Sequence, residues 1–159
     1  MIRKLTTQDK IEAMEVARST GLFDESQMPL LQRMFDQAST DDPSAPFWMG
    51  SFNEALNGVI YCEPERMTEG TWNLQLIAVH PDLQRHKIGT SLLSEVECVT
   101  RAYGGRILLV DTAGIDEFKH VRTFYKKYGF TEEACIRDFY AQDVDKVTFR
   151  KALHNEKAA

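Results

Sequence analysis

Cysteine is scarce in this sequence, basic charge is outnumbered, and no apolar run is long. The three cysteines, Cys62, Cys98 and Cys135, are odd in number and lack the paired spacing of a metal site. They are expected to be reduced, mostly buried thiols. No histidine stands near any of them in sequence, which argues against a thiol nucleophile. Lys and Arg number 19 against 24 Asp and Glu, a formal net charge of −5. That balance argues against a nucleic-acid coat or a polybasic membrane anchor. The N-terminus has no long apolar core, and nowhere does the chain approach the roughly eighteen apolar residues of a membrane span. A cytoplasmic protein with no nucleic-acid or membrane partner is therefore expected. No repeat, low-complexity tract or linker is visible, and 159 residues suit one domain, 1–159, whose core needs neither disulfides nor metal.

What is present centres on residues 74–93. Leu74 to Val79 is apolar, too short for a helix and rich in branched side chains, so it reads as a buried strand that Pro81 stops. From Ile88 the apolar residues Ile88, Leu92, Val96, Val99 and Tyr103 recur at helical spacing. The polar loop between these elements carries Gln84, Arg85, His86 and Lys87 up to the start of the helix, where Ile88, Gly89 and Thr90 follow. A helix start leaves backbone N–H groups unpaired and has a positive dipole end, so this is an anion site suited to a phosphate or pyrophosphate.

The remaining elements follow in order. Ile2 to Leu5 forms a first strand, and Thr6 or Thr7 caps a helix with Ile11, Met14, Val16 and Ala17 on its apolar side. Gly21 ends it. A second helix starts at Ser26 and carries Leu30, Leu31, Met34 and Phe35. After a loop over 39–46, strands Phe47 to Phe52 and Val59 to Cys62 form a hairpin whose turn lies near Glu54 to Gly58. Trp72, Leu74 and Leu76 alternate, but Leu76, Ile77, Ala78 and Val79 are continuously apolar. That is either a strand buried on both faces or a bulge turning backbone toward a ligand. Arg106 to Asp111 is a strand parallel to its predecessor across the helical crossover. Asp111, at its end, is a candidate functional carboxylate or a brace for the next loop. A helix from Phe118 to Tyr128 ends at Gly129, and 135–140 and 145–151 give two last strands with a polar loop between them.

Val79, then Gln84-Arg85, Ile88-Gly89 and Leu92-Leu93 resemble the acetyl-CoA pyrophosphate loop of the GCN5-related N-acetyltransferases, with Lys87 where the first glycine of that loop is expected. If the backbone must take positive φ there, lysine is strained. Phe124-Tyr125-Lys126-Lys127-Tyr128-Gly129-Phe130 resembles the second motif of the same family, although Phe118, Lys119 and His120 stand where its cofactor-binding asparagine is expected. The C-terminal half, with Ile136-Arg137 and Tyr140, is similar to the bacterial ribosomal-protein N-terminal acetyltransferases.

The resemblance implies a mixed α/β (α+β) fold. Its mostly antiparallel twisted sheet has a central parallel pair splayed to hold CoA, and about four helices flank it. It favours the bulge, with Ile77, Ala78 and Val79 holding the cofactor together with Gln84 to Thr90. It also implies acetyl-CoA as co-substrate and no metal, Tyr125 as general acid toward the CoA sulfur, and Asp111 where relatives carry a glutamate base. Asp138 is another candidate base, and a water chain a third possibility. Asp138 and Tyr140, with Asp24, Glu25, Asp143 and Asp145, form an acidic rim for a cationic amine acceptor, a small molecule or a protein N-terminus or lysine. Tyr128 is expected to pack only. The expected activity is acetyl transfer to a primary amine within a ternary complex, by a monomer or homodimer. The alternative is a non-catalytic acyl-CoA-binding or protein-interaction module on the same fold.

Overall fold

Side chains alternate across a strand, so burial along a sheet records which layer each residue joins. The computed structural model describes residues 1–153. Seven strands form one sheet in the order β1-β2-β3-β4-β5-β7-β6. They are β1 (Ile2–Lys4), β2 (Phe47–Asn53), β3 (Ala55–Pro64), β4 (Thr71–Val79), β5 (Ile107–Ala113), β6 (Thr131–Ala141) and β7 (Val144–Ala152). All neighbours are antiparallel except β4 and β5. A parallel pair cannot be closed by a hairpin, and helix α3 (Ile88–Ala102) supplies the crossover. Helices α1 (Lys10–Ser19) and α2 (Met28–Gln37) pack on one face, α3 and α4 (Lys119–Tyr128) on the other. The mixed, mostly antiparallel sheet with its central parallel pair is as the family resemblance implied. No helix of the described residues is long and apolar enough to cross a membrane.

Each face has its own core. Leu92, Leu93 and Val96 of α3 meet Ile60, Cys62, Trp72, Leu74, Leu108 and Phe149. Ala13, Met14 and Ala17 of α1, with Leu31 and Phe35 of α2, meet Trp48, Val59, Tyr61, Leu76 and Ala78. Strand β4 thus changes sides: Trp72 and Leu74 belong to the first core, Leu76 and Ala78 to the second. The register explains the reversal. Tyr61 pairs with Leu76 but Cys62 with Leu74, leaving Gln75 as an extra residue. A bulge of one residue flips every later side chain to the opposite face. The bulge therefore exists, one position ahead of Leu76, and it explains the continuous apolar run.

The bulge also parts the central strands. β4 pairs with β5 only from Thr71 to Leu74, against Ile107 to Val110. Beyond Leu74 the edge of β4 that faced β5 has no strand partner, and the two strands diverge.

Several expectations need correction. Ile11 lies on the solvent side of α1, 74% exposed, and Leu30 is half exposed on α2. The β2–β3 turn is tight at Glu54, with Gly58 inside β3. Only Cys62 is buried; Cys98 and Cys135 are exposed. Asp111 is not the end of its strand, because β5 runs on to Ala113. Cys98 falls on the outer face of α3 and Cys135 on β6, an edge strand exposed along its whole length.

Candidate active site

Divergence of β4 from β5 opens a cleft of about 580 Å³. Ile77, Ala78 and Val79 line one side; Gln84, Arg85, Lys87, Ile88, Gly89 and Thr90 line its polar end; Val121, Phe124 and Tyr125 close the other. Nine of the ten residues expected to bind cofactor therefore share one cavity. His86 does not: it is exposed, with Nδ1 3.0 Å from the carbonyl of Gln84. The ring braces the loop instead of facing the cleft.

The loop is held in an unusual shape. Arg85 and Lys87 both have positive φ, 67° and 63°. Gln84 Nε2 donates to the carbonyl of Val79 at 3.3 Å, tying the loop back to β4. Lys87 is the N-cap of α3 in left-handed backbone, so the strain anticipated from its place in the motif is present. Left-handed backbone costs a non-glycine residue about 1–2 kcal/mol. Lys87→Gly should raise the unfolding temperature of the free protein, by up to about 1 kcal/mol of stability once the added freedom of the unfolded chain is subtracted. The same change should reduce any ligand-induced rise by removing a cation at the helix start. Calorimetry with and without acetyl-CoA reads both effects.

Gly58 was missed by the sequence reading, which placed it in a turn. A Cβ there would lie 2.8 Å from Ile88 Cγ2 and 3.1 Å from Leu92 Cδ1. Its lack of a side chain lets the start of α3 come down onto β3. Nothing in the local sequence distinguishes this from a turn glycine.

Tyr125 is buried at the foot of the cleft, 3% exposed, and packs against Phe124, Phe130 and Phe149. Burial pushes its hydroxyl well above the usual phenol pKa, and no hydrogen bond contributes to the shift. The group is therefore a fully protonated donor at neutral pH, not a base. Tyr128 differs. Its hydroxyl is also raised, by burial first and then by the Glu97 carboxylate beside it. Lys151 Nζ lies 4.5 Å from its ring centroid. Tyr128 is bound into packing, as expected. Where an asparagine was anticipated, Phe118 and His120 line the cleft and Lys119 does not.

Asp111 belongs elsewhere. Thr148 Oγ1 donates to its Oδ1 at 2.6 Å, Asn73 Nδ2 to its Oδ2 at 3.4 Å, and Lys146 Nζ lies 3.9 Å away. It lines a second cleft, on the α2 side of the sheet, together with Tyr140. Asp138 lines neither cleft. It has φ of 54° in a bulge of β6, accepts from the Asp143 amide at 2.8 Å and donates its own amide to Asp145 at 3.0 Å. Apart from Tyr140, the expected rim is spent within two separate turns: in the other one, Glu25 is paired with Arg18, and Asp24 accepts from Ser26 and Gln27. Glu65 and Asn73, which the sequence reading passed over, line the second cleft instead.

Residues 43–132, more than half of the chain, match the family model of the acetyltransferase (GNAT) domain. The chain belongs to the GNAT family. Among solved structures, a protein of Desulfovibrio desulfuricans assigned to the GNAT acetyltransferases shares 28% identity, with a TM-score of 0.87 over 97% of this chain and 99% of that one. An aminoglycoside 6'-N-acetyltransferase complexed with coenzyme A has a TM-score of 0.78 at 16% identity, covering 98% of each chain. The ribosomal-protein-S18-alanine N-acetyltransferase of Escherichia coli has a TM-score of 0.76 at 18% identity, covering 100% of this chain and 98% of that one. At those two identities the likeness is one of fold. No curated protein matches the sequence. GNAT enzymes use acetyl-CoA, and the residues of the first cleft suit it. Cations and unpaired helix-start amides stand at one end, an open strand edge runs along the middle, and a protonated phenol lies at the foot.

Proposed function

We propose that this GNAT protein transfers an acetyl group from acetyl-CoA to a primary amine in a ternary complex. The observation that carries the proposal is that Tyr125 and the part of β4 beyond Leu74, where its pairing with β5 has ended, line one cleft. Arg85, Lys87 and the first amides of α3 hold the diphosphate by charge and dipole. The freed backbone of Ile77 to Val79 directs the pantetheine arm and polarises the thioester carbonyl. Acetyl-CoA supplies an activated acyl group, whose C–S bond is replaced by a C–N bond to the amine. Tyr125 Oη gives its proton to the departing sulfur, a role that suits a phenol held protonated by burial. Asp111, fixed by Thr148 and Asn73, acts on the acceptor side as a charge of set position.

Binding of acetyl-CoA or CoA at a hundredfold excess over Kd should add about 2.7 kcal/mol of stability, a rise of roughly 5–10 °C in Tm for a chain of this size. ATP and NAD at equal concentration should give none of this rise. Thiol release should then appear with amine acceptors present. Absence of a shift with acetyl-CoA would overturn the proposal. A shift with no thiol release from any amine would favour a binding module, a reading supported by Phe118 and His120 at the asparagine's place.

A further inference from the structure

We propose that the second cleft receives the acceptor, and that this acceptor is a primary amine bearing a single positive charge on an apolar body. The inference rests on the acetyltransferase reading above. The cleft, about 450 Å³, is lined by Leu74, Gln75 and Leu76 of β4. The first cleft takes up the same strand at Ile77. The two cavities therefore take up successive segments of β4, from the point where the ladder to β5 stops.

The polar floor is built from three side chains. Asn73 Nδ2 donates to Glu65 Oε1 at 2.8 Å and reaches Asp111 Oδ2 at 3.4 Å. Asn73 is 5% exposed, and in this orientation its Oδ1 is buried without a partner. An unpaired buried oxygen is unfavourable. Turning the amide over would set that oxygen against two carboxylates, which is worse. Asn73 is therefore held so that both carboxylates share one donor and stand together beside the cavity. Lys146, 3.9 Å from Asp111, answers one of the two charges. Among the described residues Glu65 takes part in no ion pair, so one negative charge is left over. An alkylammonium group supplies one charge and three donors, a match for that deficit.

The walls select the rest of the molecule. Leu30, Phe139 and Tyr140, each about half exposed, surround the cavity with Phe23 and Met34. Large apolar side chains gathered in this way at a cavity mouth mark a binding surface. A sugar would leave hydroxyls unpaired against them, and a polyamine would find no carboxylate for its second charge. The ammonium loses two protons, one to solvent and one that replaces the proton Tyr125 gives to the departing sulfur, and the C–N bond replaces the thioester C–S bond.

The test compares thiol release from acetyl-CoA with 2-phenylethylamine, spermidine, an aminoglycoside and a peptide with a free N-terminal alanine. The value of kcat/KM for 2-phenylethylamine should exceed the other three by about tenfold or more. Glu65→Gln should raise the KM for 2-phenylethylamine by about tenfold or more, with the acetyl-CoA-induced rise in Tm unchanged. Leu30→Arg, at a half-exposed position that tolerates a longer side chain, should raise the same KM by placing a cation at the mouth. Preference for spermidine, the aminoglycoside or the peptide would overturn the proposal, as would an unchanged KM in both variants. Loss of the acetyl-CoA shift in the unmodified protein would instead overturn the acetyltransferase reading, and this inference with it.

Discussion

Tyr125→Phe is expected to lower kcat by about a hundredfold or more while leaving the acetyl-CoA-induced rise in Tm intact. Only the hydroxyl is removed, and the ring keeps its contacts with Phe124, Phe130 and Phe149. Burial alone accounts for the raised pKa, with no partner to be orphaned when the oxygen goes. Stability should therefore hold, since no hydrogen bond is lost with the oxygen. A structural tyrosine would behave differently, losing folding and turnover together. Tyr128→Phe is the control. It removes a hydroxyl that lies beside Glu97, so it should cost stability and leave kcat near its starting value. Equal losses of kcat in the two variants would remove Tyr125 from its assigned role.

The largest loss of stability is expected from Lys151→Met. Glu97 is an α3 carboxylate facing inward, 5% exposed, and Lys151 Nζ on β7 reaches its Oε1 at 2.5 Å. Arg101, one turn further along α3, pairs with Oε2 at 2.8 Å. Removing one partner of a buried pair leaves an under-compensated charge away from water, which costs about 3–5 kcal/mol when nothing else remains. Arg101 stays, so about 2–3 kcal/mol is expected from urea midpoints at unchanged m-value. Replacing both residues, Glu97→Met with Lys151→Met, should recover most of that loss, because Arg101 is partly exposed and can be rehydrated. A double variant no better than the single one would mean that the ion pair itself positions α3 against β7.

Legibility in the sequence followed locality. The strand–loop–helix at 74–93 and the aromatic helix before Gly129 are each written in consecutive residues, so element type, order and most of the first cleft were readable. Periodicity identified Ile88, Leu92, Val96, Val99 and Tyr103 as a face of α3. It could not assign Glu97, whose partner Lys151 is distant in sequence, although the Glu97–Arg101 spacing was a visible i,i+4 signal. The second cleft is non-local in the same way. Glu65, Asn73 and Asp111 come from a hairpin end and two neighbouring strands, and no spacing rule joins them. Asp138 failed for the opposite reason. Acidic residues close in sequence can satisfy one another through backbone amides, and composition does not show which carboxylates are already spent in this way. His86 failed because two positive φ values, at Arg85 and Lys87, aim the side chains of one loop in different directions.

Gln75 makes the separation of β4 from β5 a matter of counting. One residue too many on β4 shifts its phase against β3, and from that point the strand leaves β5. No particular side chain is required to keep the gap open, only the length of the segment between two fixed pairings. A lesion that deletes Gln75 would zip the strand into an unbroken ladder and seal the gap, even with every other residue in place. Substitutions all along the strand leave the count untouched. Such an architecture can drift far in sequence and still keep its opening, which accords with solved GNAT structures that superpose on this chain at 16–28% identity.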